Sequence, residues 1–393
     1  MRETIAPILR GALWDGRNRR FVVFSEREAP SREDVLLLDR AMATADEGLP
    51  EALADAVTSY EERNNAAPRA VYLPGVGTFG VGESYELAYQ RGEGNLDAEA
   101  FLPAEARTRK AKRAAVMEGR IAVVTGGAQG FGAEIVRGLV EGGALVVVAD
   151  LNVEGAEEYA RSLNEEAGRT VAMALGVDVS KEESVQELVA TVVRRLGGID
   201  LFVSNAGVLK AGSVKELTLK DFTFLTSVNY IGFFLCTKHA SPIMAYQSQG
   251  AQLANRPHLQ SDIIQINSKS GLEGSKKNGA YSGGKFGGLG LGPSCPLELV
   301  DDRGRVHAIC LENSFDGLLW SDPKTGLFVQ YLEAEKVPGA KTIEEVKRFY
   351  EAKVPMGRGC QGDDVIRAIY YVVEQEYETG QAVPVTGGQV MLS

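Results

Sequence analysis

Histidine is nearly absent: there are three in 393 residues, His239, His258 and His307, widely separated along the chain. That excludes a histidine-rich zinc centre, which needs several imidazoles within reach of one ion, and no metal is expected. Cysteine is sparse too. Cys236, Cys295, Cys310 and Cys360 form no CxxC pair, and such isolated thiols are expected to be reduced residues of a cytoplasmic protein. Positive charge is in deficit, with 42 Lys+Arg against 53 Asp+Glu and a net charge of −11 at pH 7. This disfavours nonspecific contact with nucleic acid or an anionic membrane. No apolar run approaches the roughly 18 residues that span a bilayer; Ala144–Ala149 is among the longest. The opening MRETIAPILRG puts charges and a proline where a signal peptide needs an apolar stretch.

Glycine, by contrast, is abundant. The chain has 45, more than a tenth of its residues, against a usual share of about 7%. The length predicts two domains at roughly 150 residues each, and the pattern divides near residue 115. A basic, polar stretch over 103–120 reads as a linker. Beyond it, apolar runs alternate with amphipathic helical segments. Strands are expected at Arg120–Thr125, Ala144–Asp150, Val171–Val177, Asp200–Ser204, Asp262–Asn267, Val306–Cys310 and Ala382–Thr386. Helices are expected near Gln129–Glu141, Glu154–Glu166, Glu182–Leu196, Phe222–Met244, after Tyr281, and near Asp363–Gln375. This alternation predicts an α/β fold, a doubly wound parallel sheet of Rossmann type over 116–393. Residues 1–115 are expected to form a smaller α/β segment. Its strands would be Phe21–Ser25 and Ala70–Pro74, its helices Arg32–Met42 and Pro50–Arg63.

Two glycine patterns compete for a dinucleotide. Gly75, Gly77 and Gly80 have the G-x-G-x-x-G spacing, but the broken sequence after them offers neither an opening helix nor a later acidic strand end. They read as a glycine-rich loop without a ligand. In VTGGAQGFGAEIV, Gly126, Gly130 and Gly132 lie between an expected strand and helix, with Gln129 and Phe131 in the turn. A second strand ends at Asp150, eighteen residues beyond Gly132. Glycines let the backbone approach a pyrophosphate, the helix N-terminus supplies free N–H groups, and the carboxylate accepts from ribose hydroxyls. Asp150 suits the free 2′-hydroxyl of NAD and repels the 2′-phosphate of NADP. NAD is the expected cofactor.

The spacing T-G-x-x-x-G-x-G over Thr125–Gly132 resembles the short-chain dehydrogenase/reductase family. Further matches follow in that family's order: Asp178, then Asn205-Ala206-Gly207, then Asn229 in SVNYIGFF, Ser268 in IIQINSKSG, and Tyr281 with Lys285 in AYSGGKFGG. The resemblance implies that Asn229, Ser268, Tyr281 and Lys285 are catalytic. It implies that Asp178, Asn205, Ala206 and Gly207, with Tyr281 and Lys285, also face the cofactor, that Asn229 holds a proton-relaying water, and that the chain forms homo-oligomers.

The same residues make chemical sense alone. Tyr281 and Lys285, at i and i+4, share a helix face. An ammonium beside a phenol is expected to lower its pKa from about 10. Tyr281 then serves as acid for ketone reduction or base for alcohol oxidation. Ser268 would donate a hydrogen bond to the reacting oxygen.

INSKSG (Ile266–Gly271), KVPGAKTIEEVKRFYEAKVPMGRGC (Lys336–Cys360) and VTGGQVM (Val385–Met391) resemble the branch containing sorbitol-6-phosphate 2-dehydrogenases and related polyol dehydrogenases of bacteria. That implies a polyol or polyol phosphate as substrate. Lys269, Lys276 and Lys277, close to Ser268 and Tyr281, are candidates for holding a phosphate.

Two departures stand out. Leu311-Glu312 replaces the Pro-Gly that the family usually carries near the nicotinamide. Gly292, Pro293 and Pro296 are expected to bend or break the helix that starts near Tyr281, since an interior proline costs about 3 kcal/mol. These features favour an alternative, a nonenzymatic dinucleotide-binding or scaffold protein. APILRG and AVYLPGVGTFG resemble the C-terminal part of class II aldolases, which in some bacteria precede a short-chain dehydrogenase. No histidine occurs before His239 to bind that enzyme's zinc, so residues 1–115 read as an aldolase-like remnant.

Overall fold

The computed structural model describes residues 2–16, 18–44, 48–99, 114–257, 259–315, 318–324 and 326–391. Most of the expected linker, 103–113, lies outside the described residues.

The N-terminal segment contains α1 (Arg2–Ala12), β1 (Phe21–Ser25), β2 (Val35–Leu37), α2 (Leu49–Asn64), β3 (Ala70–Leu73), β4 (Gly77–Gly82) and α3 (Tyr85–Gly92). Its sheet runs β1-β4-β3-β2, antiparallel except for the parallel β3/β2 pair. The helix expected at Arg32–Met42 is not there. Val35–Leu37 instead pairs with β3, and only Arg40–Thr44 turns, as a short 3-10 helix. Val35 and Leu36 are buried while Leu37 is exposed, so strand pairing overrides the local helical pattern. The Gly75–Gly80 pattern makes the tight β3–β4 connection and then β4 itself. No helix opens there.

The second part contains α4 (Ala114–Met117), β5 (Ile121–Thr125), α5 (Gly130–Glu141), β6 (Leu145–Asp150), α6 (Val153–Ala167), β7 (Ala172–Gly176), α7 (Glu182–Leu196) and β8 (Leu201–Ser204). Then come α8 (Leu219–Thr226), a π turn (Ser227–Ile231), α9 (Gly232–Leu253), β9 (Ser261–Ser268), α10 (Gly279–Leu299) and β10 (Gly304–Leu311). The chain continues through α11 (Leu318–Ser321), α12 (Leu327–Glu333), α13 (Ile343–Glu351), α14 (Gly362–Glu374) and β11 (Ala382–Val385). The sheet order is β11-β10-β9-β8-β5-β6-β7, and every pairing is parallel. β5 is buried at every position, and β6 at every position but its last, as helices on both faces require. The winding reverses between β5 and β8, where a ligand crevice opens at the carboxyl ends of such strands.

The helix α10 is unbroken through Pro293 and Pro296, contrary to the expected break. Each proline still removes a ladder donor. Packing of α10 against β10, α8 and the π turn holds its path, and the bond from Val300 N to Pro296 O, 2.9 Å, closes its end.

The two sheets share one apolar core, in which Ile5, Ile8 and Leu9 of α1 join Val192, Met244 and Phe202. Close backbone approach makes this possible. A Cβ added at Gly11 would lie 2.0 Å from Gln247 O, and one at Gly250 would lie 2.2 Å from Ile8 O. Beneath that crossing Asp200, fully buried, binds Arg10 at 2.7 Å and Arg19 at 2.6 Å. It also accepts from the N–H of Ile121 at 2.8 Å and from Gln247 at 3.2 Å.

Candidate active site

The glycine turn after β5 is held by sterics. Gly126 and Gly130 have φ of +64° and +55°, which favour glycine. A Cβ at Gly132 would lie 1.9 Å from Gly126 O. Asn205, at the end of β8, ties this turn down by donating from its side chain to Thr125 O at 2.9 Å and Gly126 O at 3.0 Å. The buried hydroxyl of Thr125 in turn accepts from the N–H groups of Asn205 (3.0 Å) and Ala206 (3.1 Å). Thr125 is a positioning residue whose part the sequence spacing does not disclose. Gln129 caps α5 without a side-chain bond, which leaves the first N–H groups of the helix for an anion.

Asp150 ends β6 with each carboxylate oxygen anchored: one accepts from Ala128 N at 3.0 Å, the other from Asn152 N at 2.9 Å. Each keeps a lone pair for a ribose hydroxyl. Asp178 is bound by the Ser180 hydroxyl at 2.6 Å and by Lys181 at 3.0 Å, which hold its carboxyl below the usual range. These features fit a dinucleotide: a close-approach turn, free helix N–H groups and an oriented carboxylate.

Ser268, Tyr281 and Lys285 meet at the next strand end. The Ser268 hydroxyl lies beside the Tyr281 phenol and partly opposes the effect of its burial. The Lys285 amine donates to Ile266 O at 2.8 Å and lies 5.7 Å from the centre of the Tyr281 ring. Burial pushes the Tyr281 phenol up to about 12 and the Lys285 amine down to about 8. The expected lowering of the phenol by its lysine is therefore corrected, because desolvation outweighs an ammonium turned toward a carbonyl.

Asn229 lies in the π turn, 2% exposed. Its side chain donates to Val208 O and Leu225 O at 2.8 and 2.9 Å. A Cβ at Gly207 would come 3.0 Å from Asn229 Oδ1 and 3.8 Å from the Lys285 amine, so these three groups converge. Apart from Asn229, every cofactor and catalytic candidate lines one cleft of about 930 Å³.

The far end of this cleft is built from the region 318–354. Trp320, Tyr331, Lys336, Phe349, Tyr350 and Lys353 line it. Of the short helices there, α11 and α12 are too brief to stand out in the sequence, whereas α13 was signalled by the Thr342–Glu345 capping box and an amphipathic face that went unread. Glu312, the departure from Pro-Gly, is buried in the same cleft and paired with Lys269 at 3.0 Å. Lys269 also donates to Gln389 at 2.5 Å, and the Lys277 amine is bonded to Ala334 O. Of the three lysines expected to be free for a phosphate, Lys269 and Lys277 are thus already engaged; Lys276 is exposed at the rim.

The profile of the family described as short chain dehydrogenase matches residues 120–313. A sorbitol-6-phosphate 2-dehydrogenase of Escherichia coli (strain K12) is 39% identical over 274 residues, 69% of this chain and 99% of that protein. The chain belongs to the short-chain dehydrogenase family. The crystal structure of a sorbitol-6-phosphate 2-dehydrogenase from Erwinia amylovora superposes with a TM-score of 0.62 at 38% identity, covering 69% of this chain and all of that one. An uncharacterised oxidoreductase of Bacillus subtilis (strain 168) is 26% identical over 350 residues, 82% of this chain but 48% of its own length. The short-chain dehydrogenase part, 278 of 393 residues, is smaller than that span, so the match reaches into the first 115 residues. Among the described residues no helix is long and apolar enough to cross a membrane.

Proposed function

We propose that this short-chain dehydrogenase transfers hydride between NAD and a secondary hydroxyl of a sugar alcohol or sugar-alcohol phosphate, in the cytoplasm and as a homo-oligomer. The observation that carries the reading is the convergence of the Tyr281 phenol, the Ser268 hydroxyl and the Lys285 amine in the cleft that begins at the glycine turn. Bound NAD supplies the hydride acceptor. Tyr281 takes the hydroxyl proton in oxidation and returns it in reduction. Ser268 donates to the reacting oxygen, and Lys285 stabilises the phenolate. The 39% identity to a sorbitol-6-phosphate 2-dehydrogenase supports the substrate class.

The preference for NAD rests on Asp150. Its carboxylate would face a 2′-phosphate, no arginine lines the cleft among the described residues, and the lining lysines there all come from elements after β9. Free cysteines support the cytoplasm. Oligomer formation is supported by Ile231, Phe234 and Phe286, exposed where α10 packs beside α9 and the π turn. Residues 1–115 are an aldolase-like remnant that serves packing.

A screen of NAD reduction across hexitols, pentitols and their phosphates tests the reaction. Turnover of at least one is expected. NADH binding without turnover of any would favour the nonenzymatic reading that the buried Glu312 raises. In the same assay Asp150→Ala is expected to raise KM for NAD about tenfold, as loss of charge-assisted hydrogen bonds predicts, with a much smaller effect on NADP. Equal effects on both cofactors would remove Asp150 from ribose recognition.

A further inference from the structure

The lysine chemistry of the cleft divides in two. Lys269 is neutralised, its amine 3.0 Å from Glu312 Oε1 with Gln389 at its other side. Lys336 and Lys353 make no ion pair with any described residue, and both are held by aromatic faces. The Lys336 amine lies 3.8 Å from the centre of the Tyr331 ring and 5.9 Å from that of Tyr350. Lys353 lies 4.2 Å from Phe349 and 5.3 Å from the same Tyr350. Tyr350 is therefore within reach of both cations. Asn278, in the orientation that satisfies its amide, accepts from Lys336 at 2.7 Å and fixes the amine from below. All four of these lining groups, Lys336, Lys353, Tyr350 and Asn278, face the cleft that holds Ser268 and Tyr281.

We propose that Lys336 and Lys353, carried by the region after α12 and mounted on Tyr331, Tyr350 and Phe349, form an anion subsite that holds the phosphate of a phosphorylated sugar alcohol while Ser268 and Tyr281 act on its hydroxyl. The inference rests on the dehydrogenase reading above and narrows its substrate to the phosphate ester. Two like charges close together in a half-dry pocket are costly unless an anion joins them. Lys336 records that cost: burial, and then repulsion from Lys269 and Lys353, lowers its amine to about 7. Lys353 is lowered by burial and by repulsion from Lys269, although Glu273 and Glu312 partly oppose the shift. A phosphate dianion supplies the missing counter-charge and several acceptor oxygens, and two lysines with fixed stems would orient the substrate as well as attract it. The Glu312–Lys269 pair then has a role too. It offsets the charge of the third cation beside Ser268, so that the anion settles at the aromatic end and away from the reacting oxygen.

The test uses the whole chain, loaded with NADH for binding and supplied with NAD for turnover, with two readouts. Calorimetric binding of sorbitol 6-phosphate and of inorganic phosphate is measured for the parent, Lys353→Gln, Lys336→Gln and Lys336→Arg. The ratio of kcat/KM for sorbitol 6-phosphate over sorbitol is measured for the same set. Each Gln variant is expected to weaken sorbitol 6-phosphate binding about tenfold and to lower the kcat/KM ratio by a similar factor, whereas Lys336→Arg retains most of both. Lys353 is exposed, so its variant guards against a folding defect at Lys336. Binding within twofold of the parent in both Gln variants, or equal losses for sorbitol and its phosphate, would overturn the subsite. Lysine-dependent binding of the phosphate without oxidation of any polyol would uphold the subsite and overturn the dehydrogenase reading instead.

Discussion

Tyr281 rests as an acid. With its phenol pushed up to about 12 by burial, it is protonated at neutral pH, the form that carbonyl reduction needs. Alcohol oxidation needs the opposite form. The sign follows: kcat/KM for oxidation climbs as pH rises, while that for reduction holds near neutrality and falls on the alkaline side. Lys285, lowered to about 8 by burial, is mostly ammonium at pH 7, with its amine directed at Ile266 O. Tyr281→Phe removes the proton and leaves the ring, so activity is expected to fall by about 10²–10⁴-fold while NADH fluorescence titration gives nearly the parent affinity. Activity within a few-fold of the parent would strip Tyr281 of its role. The gathering of these residues in one cleft was readable in the sequence because the proposed chemistry imposes fixed spacings: i and i+4 for Tyr281 and Lys285, a strand end for Ser268, a glycine turn with Asp150 closing the next strand. The state of each lysine was not readable. Lys269 looks free until β10 brings Glu312 beside it, and Lys336 looks like a surface residue until Tyr331 and Tyr350 enclose it.

At the scale of elements, strands β5 to β11 were legible because a parallel sheet covered on both faces requires near-continuous apolar runs, and these are dense and well separated. α1 was missed. A helix of eleven residues with Pro7 inside gains its order from α9, a partner far along the chain. The same kind of tertiary hold explains α10. Its sequence predicts a break, yet packing carries it through Gly292, Pro293 and Pro296. The missing N–H at Pro293 still has a cost, and Pro293 is exposed, so nothing else depends on its ring. Pro293→Ala is expected to stabilise the protein by about 1–3 kcal/mol, the helix gain less the extra freedom of the unfolded chain. Urea unfolding monitored by circular dichroism measures it. A loss of stability would mean that the proline ring makes contacts that alanine cannot replace. α11 and α12 escaped prediction for a third reason. With α13 they close around an aromatic cluster, with Trp320 packed on Phe315, Phe328, Tyr331 and Tyr350 at 5.0–5.5 Å. Such a cluster depends on spatial convergence more than on period.

On the scale of the whole molecule, Asp200 binds the two sheets into one body. Burial alone would raise its carboxyl, but Arg10, Arg19 and the Ile121 N–H outweigh burial and hold it well below the usual carboxylate range. A depressed folded value means that the ionised pair stabilises the protein above the unfolded pKa of about 3.9. That contribution is lost as pH falls from there through the folded value. Asp200→Asn leaves two arginines buried without their counter-charge and is expected to cost about 3–5 kcal/mol by chemical denaturation; a cost under 1 kcal/mol would show that water or relaxation compensates. The crossing of α1 and α9 at Gly11 and Gly250 has a further consequence, in time. A ribosome adding about 5–20 residues per second releases α1 roughly 12–48 s before Gly250 exists. Throughout that interval Ile5, Ile8 and Leu9, fully buried in the finished protein, can pack only on α2, β1 and, later, α7, while the face that meets α9 stays open. α1 is thus covered in two stages far apart in time, and the nascent chain must be kept from its neighbours until α9 completes the second.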